Sequence, residues 1–531
     1  MSDEKLYFRH NVVIEPLFNQ WYAWWYLISP MTASLYVANQ HVKIMRSFVA
    51  QPQIHAAAMK NPALLGGPYI NYEVDRVGEI DALLQRTIQE RAHLLELAEA
   101  IKALDAMLES HPAGMSLEDF YPKIPDILRG YVELTYDLKN RPSMRLLEGM
   151  LYRSPYYDES AQSIALWRIE SDERTFIFST PRLAEPEHLH LRLPFRDPAI
   201  DELMRLRYTP ASFEHIQELL HVPAEQADLL RSLLTEEPPA RAAAPRYEGE
   251  GVRIRYCGHA CVLIESKGVA VLTDPVVSYP YATGAPRYTH DDLPEKIDYV
   301  LITHTHPDHL MFETLLQLRS RIGTIVVPKN GGFMQDPSIR LGLQHLGFKN
   351  VIEIEEMDEL KVEGGSIVGL PFLGEHGDLD IRSKLAYLLR LDGKSVVIAA
   401  DSNALEPRIY GRVREMFGAV DALFLGMECD GAPMNWSYEP LLLVKLARKM
   451  DQSRRLSGCN FLRASEIVRL LEPRHVYVYA MGQEPWLNHV MALKYNETSV
   501  QITESDKLLE FCKGRGIVAE RPYCQMELTL T

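Results

Sequence analysis

Within six residues the chain places three imidazoles and a carboxylate, His304-Thr305-His306-Pro307-Asp308-His309. The preceding run, Tyr299-Val300-Leu301-Ile302-Thr303, reads as a buried strand, and Pro307 suits the first turn of a helix that follows. Side chains two residues apart on an extended segment point the same way, so His304 and His306 can share one cation. Asp308 and His309, on the next turn, point to a neighbouring position. A strand-end loop of this kind offers nitrogen and oxygen donors within one small volume. A lone buried histidine is usually structural. Three of them with an aspartate at one strand-to-helix junction read as a metal site.

Further donors follow the ends of later apolar runs. Leu370-Pro371-Phe372-Leu373-Gly374 leads to Glu375-His376, Val396-Val397-Ile398-Ala399-Ala400 leads to Asp401, and Ala422-Leu423-Phe424-Leu425-Gly426-Met427 leads to Glu428. Apolar strand then polar donor, repeated, is how a layered sandwich presents ligands at one edge. Asp401-Ser402-Asn403 is also good helix-capping chemistry, but without Asp401 the donor set is incomplete. Either Glu375 or His376 can point inward. A histidine there makes a nitrogen-rich site suited to zinc, and a glutamate makes an oxygen-rich site suited to iron. His259, after Gly258, reads as a hydrogen-bonded core histidine. His188-Leu189-His190 copies the spacing but lacks the Asp-His pair, and reads as strand alternation.

The elements that must position these residues change in rhythm along the chain. Residues 74–108 carry apolar side chains at a period near 3.6 and predict one long amphipathic helix. Residues 166–179 are β-rich, and residues 212–234 return to helical spacing. The proline- and alanine-rich stretch 236–245 reads as a linker, which divides the chain into residues 1–245 and 246–531. Beyond it, short β-rich runs at 252–265, 269–273, 297–303, 323–327, 366–374, 395–400, 420–427 and 475–481 alternate with helical patterns at 310–321, 440–450 and 464–471. Such alternation predicts an α/β layered sandwich.

Composition narrows the function. The chain has 531 residues and a formal net charge of −16, which argues against nucleic acid as the main partner. No run of about 18 apolar residues predicts a membrane span, and the N-terminal Met-Ser-Asp-Glu-Lys has no signal-peptide pattern; a cytoplasmic location is expected. The six cysteines form no metal or disulfide framework. Phe18, Trp21, Tyr22, Trp24, Trp25 and Tyr26 form an aromatic cluster, read as core packing, with a homodimer contact as the sharper reading. Lys445, Arg448, Lys449, Arg454 and Arg455 form a basic run, read as a solvated face or, alternatively, as a docking patch for an acidic carrier domain.

Gly258-His259-Ala260-Cys261-Val262-Leu263-Ile264-Glu265, Thr273-Asp274-Pro275, the HxHxDH run and Asp401 together resemble the metallo-β-lactamase superfamily. The resemblance implies an α/β fold in which a four-layer αββα sandwich follows a mixed α+β N-terminal domain. Carried over by position, His304 and His306 hold one metal, Asp308 and His309 hold a second, Asp401 bridges, and Asp274 orients a ligand. Most members with this pattern are zinc hydrolases of thioesters, lactones or phosphoesters. The large N-terminal domain, the Gly-Glu-His-Gly-Asp run, Gly426-Met427-Glu428-Cys429-Asp430-Gly431 and Met481-Gly482-Gln483-Glu484-Pro485-Trp486 are more similar to the di-iron β-hydroxylases of chloramphenicol biosynthesis and its relatives. That resemblance implies two irons with Glu375 as a ligand, His376 and His259 behind the ligands, and O2 as co-substrate. It also implies an aminoacyl thioester on a nonribosomal peptide synthetase carrier domain, an external reductase, and a dimer formed through the N-terminal domain. The last donor on the second metal is Glu428, Glu484 or His489. A metal-free carrier-binding scaffold is a third reading, which the nearly complete donor set disfavours.

Overall fold

The inner strands beyond residue 250 are mostly apolar runs because both of their faces are covered. In the computed structural model, which describes residues 4–61, 64, 66–239 and 244–531, Val262–Ser266, Val269–Thr273 and Ala422–Gly426 are buried at every position. Two seven-stranded sheets result. The first runs Val351–Ile354, Ile322–Pro328, Ile297–Leu301, Val269–Thr273, Val262–Ser266, Val252–Tyr256, Met526–Leu530. The second runs Glu359–Val362, Gly365–Leu370, Ala386–Leu391, Lys394–Ile398, Ala422–Gly426, His475–Tyr479, Val518–Glu520.

Ile264, Val271 and Leu301 of the first sheet pack against Ile367, Leu389, Ile398 and Phe424 of the second. Helices Arg408–Phe417, Phe461–Leu471 and Val500–Lys513 cover the outer face of the second sheet. Phe312–Leu318 and Ile339–His345, together with the N-terminal region, cover that of the first. The architecture is the expected αββα sandwich. Ile297–Leu301 lies parallel to both neighbours, with Leu272 opposite Val300 and Leu301 opposite Val326, so the loop leaving it opens at the carboxyl edge, where α/β sheets place their sites.

The N-terminal region is mixed α+β. A sheet ordered Trp21–Tyr22, Val12–Phe18, Gln162–Arg168, Leu189–Leu191 is joined by helices Pro30–Tyr36, Val42–Ala50, Val77–Glu90 and Ala92–Glu109. Five local expectations change, the first at residues 166–179, where the strand ends at Arg168. The helix predicted over 74–108 breaks at Arg91, whose φ of −110° and ψ of 23° leave the helical region; its buried guanidinium reaches Ser160 Oγ at 3.0 Å and pairs with Asp158. The run 252–265 is two strands separated by a turn at Cys257–Cys261. Pro307 sits in a turn, and the helix begins only at Phe312. The helix expected over 440–450 is replaced by Asn435–Tyr438, Glu439–Leu441 and Arg448–Ser453. Residues 240–243 of the expected linker lie outside the described residues.

All six residues of the aromatic cluster are buried within the chain, so they pack the core and offer no free face to a second copy. All six cysteines are unpaired thiols. No helix among the described residues is long and apolar enough to cross a membrane.

A buried ionic network fastens the N-terminal sheet to the segment after the histidine loop. Arg182 Nε donates to Glu15 at 2.8 Å, Arg174 donates to Glu15 at 3.0 Å and to both oxygens of Glu313 at 2.9 Å, and Tyr22 and Tyr279 donate to Glu313. Glu313 belongs to the helix that directly follows the histidine loop. Burial raises the Glu15 pKa, but Arg182 and Arg174 outweigh it and hold the carboxyl at about 2. Its stabilising contribution is therefore complete above the unfolded value of about 4.3 and fades as pH falls toward about 2. Glu15→Ala leaves the buried Arg182 guanidinium without a carboxylate, while Arg174 keeps Glu313, and is expected to cost about 3–5 kcal/mol in urea unfolding at neutral pH, with a flatter acid limb than the wild type.

Candidate metal centre

Five strand ends of the sandwich converge on one buried cluster. His304, His306, Asp308 and His309 leave Ile297–Leu301, Glu375 follows Gly365–Leu370, Asp401 follows Lys394–Ile398, Glu428 follows Ala422–Gly426, and Asp274 follows Val269–Thr273. His309 Nε2 lies 3.0 Å from Asp401 Oδ2, His304 Nε2 lies 3.6 Å from the same oxygen, and His309 Nε2 lies 3.7 Å from Asp308 Oδ2. His306 Nδ1 lies 3.4 Å from Glu375 Oε1. Donor atoms of His304, His309 and Asp401 lie within 4.8 Å of one another, as do those of His306, Glu375 and Asp401. Asp401 is common to both groups, which is the place of a bridging carboxylate.

The backbone is bent to achieve this. Glu375 has φ of 69° between Gly374 at 89° and a further glycine, Gly377, at 55°. A Cβ at Gly374 would lie 2.9 Å from Asn403 Cβ, and one at Gly377 would lie 2.6 Å from Met434 Cγ. Asp274, Ala400, Cys429 and Ala480, at or near other strand ends, also have positive φ. Such residues cost roughly 1–3 kcal/mol each and persist where surrounding structure over-determines them. The turn at 374–377 brings Glu375 among the clustered donors, while His376, in none of those groups, packs its ring edge-on 4.7 Å from that of His306, leaves Nε2 unpartnered and sets Nδ1 2.8 Å from the Tyr438 hydroxyl.

His304, His306, His309 and Asp308 are each held by a partner on the far side. His309 Nδ1 bonds Asp274 at 2.8 Å. Thr303 Oγ1 donates to Asp274 and so accepts from His304 Nδ1 at 3.0 Å. His306 Nε2 meets Tyr438 Oη at 3.0 Å. Gly482 N–H donates to His259 Nδ1, so His259 donates from Nε2 to Asp308 at 2.9 Å. These bonds fix each ring and leave the other nitrogen facing inward.

The inward atoms lack protein partners. His304 Nε2, His309 Nε2, Glu375 Oε2 and Asp401 Oδ1 are buried without a hydrogen bond. Buried polar groups are normally satisfied, and four orphans pointing at one another fit cations between them. Charge says the same. Burial, then Asp401 and Asp308, push the Glu375 carboxyl well up, and burial, Asp401, Glu375 and Asp308 do so for Glu428. Burial and the neighbouring imidazoles push His304 well down, and burial brings His306 to about 4. Burial lowers His309 too, but Asp401, Asp308 and Asp274 outweigh it and hold it well above the ordinary range. Crowded carboxylates beside two imidazoles held neutral, His304 and His306, are a cation's donor set.

A cavity of about 580 Å³ reaches this cluster, with His306, Asp308, Glu375, Asp401 and Glu428 at its floor. Trp436, Tyr69, Leu456, Val490 and Met491 line its walls, so residues from both halves of the chain build it. The structure brings Glu428 to the cavity but not the other two candidates for the last ligand. Glu484 is bonded to Tyr256, and His489 lies beside Tyr22 with both ring nitrogens unpartnered. Neither falls within the clustered donors.

Residues 7–238 match the family described as the diiron non-heme beta-hydroxylase N-terminal domain, and residues 253–405 match the beta-lactamase superfamily domain. A 4-amino-L-phenylalanyl-[CmlP-peptidyl-carrier-protein] 3-hydroxylase of Streptomyces venezuelae is 40% identical over 528 residues, covering 98% of this chain and 99% of the relative. The chain belongs to the di-iron β-hydroxylases. The crystal structure of CmlA, a diiron beta-hydroxylase from Streptomyces venezuelae, superposes with a TM-score of 0.94 at 39% identity, covering 100% of both chains. A point variant of CmlA superposes with a TM-score of 0.91 at 38% identity, covering 99% of this chain and 100% of that one. The family sets the hydroxylase reading above the zinc-hydrolase alternative, and with it two irons as the cofactor.

Two residues of this hydroxylase site escaped the sequence reading. Thr303 adjoins the HxHxDH run, and a hydroxyl at the end of its strand was the available signal. Tyr438 lies 132 positions from His306, and nothing local marks it. Both are expected to tune metal affinity through the rings they hold. Asp274→Asn and Tyr438→Phe are each predicted to weaken iron binding by about 10–100-fold, read by chelator competition and metal analysis, with circular dichroism unchanged.

Proposed function

We propose that this chain β-hydroxylates an amino acid held as a thioester on a carrier domain of a nonribosomal peptide synthetase. The observation that carries the reading is Glu375. It faces the cluster with one oxygen orphaned, while its neighbour His376 is turned to Tyr438. In that arrangement His304, His306 and Glu375 would hold one iron, and Asp308 and His309 the other. Asp401 would bridge the pair, and Glu428 would be the remaining carboxylate within reach. The bound irons supply the dioxygen chemistry, with O2 as co-substrate.

The chain's own residues do the rest. The walls formed by Trp436, Tyr69, Val490 and Met491 present an apolar surface to the amino-acid side chain and keep bulk water away from its β-carbon. A cavity of about 580 Å³ lined by residues 66–69 and 430–433 as well as by the cluster suits a substrate delivered on a long arm from outside. The Streptomyces venezuelae relative is named for an aminoacyl group carried in this manner, which supports the same substrate class here. Arg454 and Arg455 of the basic run are engaged with the carbonyls of Gly377 and Gly431. Lys445, Arg448 and Lys449 are exposed and are the part left for an acidic carrier. Electrons come from an external reductase, and the family resemblance carries a homodimer with it.

Incubation of the iron-loaded, chemically reduced protein with labelled O2 and an aminoacyl carrier domain tests the reading. One labelled oxygen atom is expected in the amino acid, at the β-carbon. Release of free amino acid without label is the hydrolase result and would overturn it. Glu375→Ala is expected to lower the single-turnover rate by at least about 100-fold, equivalent to roughly 2.7 kcal/mol or more, with the fold retained.

A further inference from the structure

The aromatic cluster near the N-terminus continues without a break to the metal centre. Tyr438, whose hydroxyl lies 3.0 Å from His306 Nε2, meets Tyr26 at a ring separation of 5.9 Å. Tyr26 stacks on Tyr36 at 5.6 Å, and Trp24 sets its ring edge-on against both at 5.2 Å. Trp24 meets Phe178 at 5.2 Å, and Phe178 meets Trp436 at 5.7 Å. Tyr438, Tyr26 and Trp24 are buried, whereas Trp436, which lines the catalytic cavity, is 37% exposed. Apolar packing alone is served as well by phenylalanine, which has no polar atom to satisfy. What Tyr438, Trp24 and Trp436 add is a ring that can give up an electron.

Tyr438 is placed to lose a proton at the same moment. His306 turns Nδ1 toward Glu375 at 3.4 Å, so its Nε2–H donates to the Tyr438 oxygen. That leaves the Tyr438 O–H to donate to His376 Nδ1 at 2.8 Å. His376 therefore accepts at Nδ1, and its Nε2, buried without a partner, carries the ring hydrogen. The hydroxylation proposed above uses neither this proton acceptor nor the aromatic chain.

We propose that Tyr438, Trp24 and Trp436 form an oxidation relay, which carries single electrons from the surface to the metal centre when dioxygen reacts with no substrate in place. The inference rests on the dioxygen chemistry proposed above. Full reduction of O2 to two waters takes four electrons and four protons. The ferrous pair gives two of the electrons, and the β C–H bond of the substrate ordinarily gives the other two. Without substrate, Tyr438 gives an electron inward and passes its hydroxyl proton to His376 Nδ1. Trp24 refills it across the Tyr26 ring, and the proton returns from His376 to Tyr438. Trp436 refills Trp24 across the Phe178 ring, and a soluble thiol refills Trp436. Two such passages convert two thiols into one disulfide and two protons. The ligand histidines are thereby spared an oxidation that a closed site otherwise invites.

Hydrogen peroxide added to the full-length, iron-loaded protein without substrate supplies the oxidant directly. The wild type is expected to show an organic radical by freeze-quench electron paramagnetic resonance, quenched by added thiol. Peptide mass spectrometry is expected to find oxygen added at Trp436 with the ligand histidines intact. Trp24→Phe is expected to lose the Trp436 adduct and to oxidise His304 and His306 instead. Tyr26→Phe keeps the bridging ring and is expected to behave as the wild type. Trp436→Phe leaves the core untouched, so the test holds should Trp24→Phe not fold; it is expected to lengthen the life of the radical. A Trp436 adduct undiminished in Trp24→Phe, or a radical decay unchanged in Trp436→Phe, would overturn the proposal. Ferrous protein inert to O2 would count against the dioxygen reading alone, because peroxide reports on the relay by itself.

Discussion

Mutual repulsion among buried carboxylates governs this molecule. Asp308, Glu375, Asp401 and Glu428 line the bottom of one cavity; burial, Asp401 and Asp308 raise the cost of ionising Glu375, and with Glu375 that of Glu428, while His309 and His259 hold the Asp308 carboxyl low. Cations among them, or protons on Glu375 and Glu428, relieve that repulsion. The two sheets exist, in functional terms, to bring those carboxylates and three imidazoles to one edge despite that repulsion. The left-handed turns at Glu375, Ala400 and Asp274 are the local cost.

The same logic explains the outer ring. A ligand histidine is useful only if its ring cannot rotate, so Asp274, Thr303 and Tyr438 each take the far nitrogen of one ring. Tyr438 has a second task, since its hydroxyl also meets His376. With His376 Nδ1 taken by Tyr438, Glu375 is the residue proposed for the third ligand position. Oxygen donors at that position suit iron better than zinc. The N-terminal half contributes through packing: Glu15, Arg174 and Glu313 lock its sheet to the helix after the histidine loop, and residues 66–69 wall the cavity.

Much of this was legible in the sequence because the signals are local. Strand-then-donor spacing at His304, Asp401 and Glu428 survives as geometry, and the αββα sandwich follows from continuous apolar strands. The choice between Glu375 and His376 was not legible, because it depends on a left-handed backbone set by contacts of Gly374 with Asn403 and of Gly377 with Met434. Glu484 and His489 were plausible by position after the last core strand, yet the chain turns there and carries them to Tyr256 and Tyr22 instead. The helix break at Arg91 was hidden because apolar periodicity continues through it, while the cause, a guanidinium buried against Asp158 and Ser160, lies far along the chain.

Anomalous diffraction at the iron edge from crystals of the iron-loaded protein tests the central claim most directly. The account predicts two iron peaks, with a Glu375 oxygen within bonding distance of the one shared with His304 and His306, and His376 still on Tyr438. A single peak, or an iron bound by His376 with Glu375 turned aside, would contradict it.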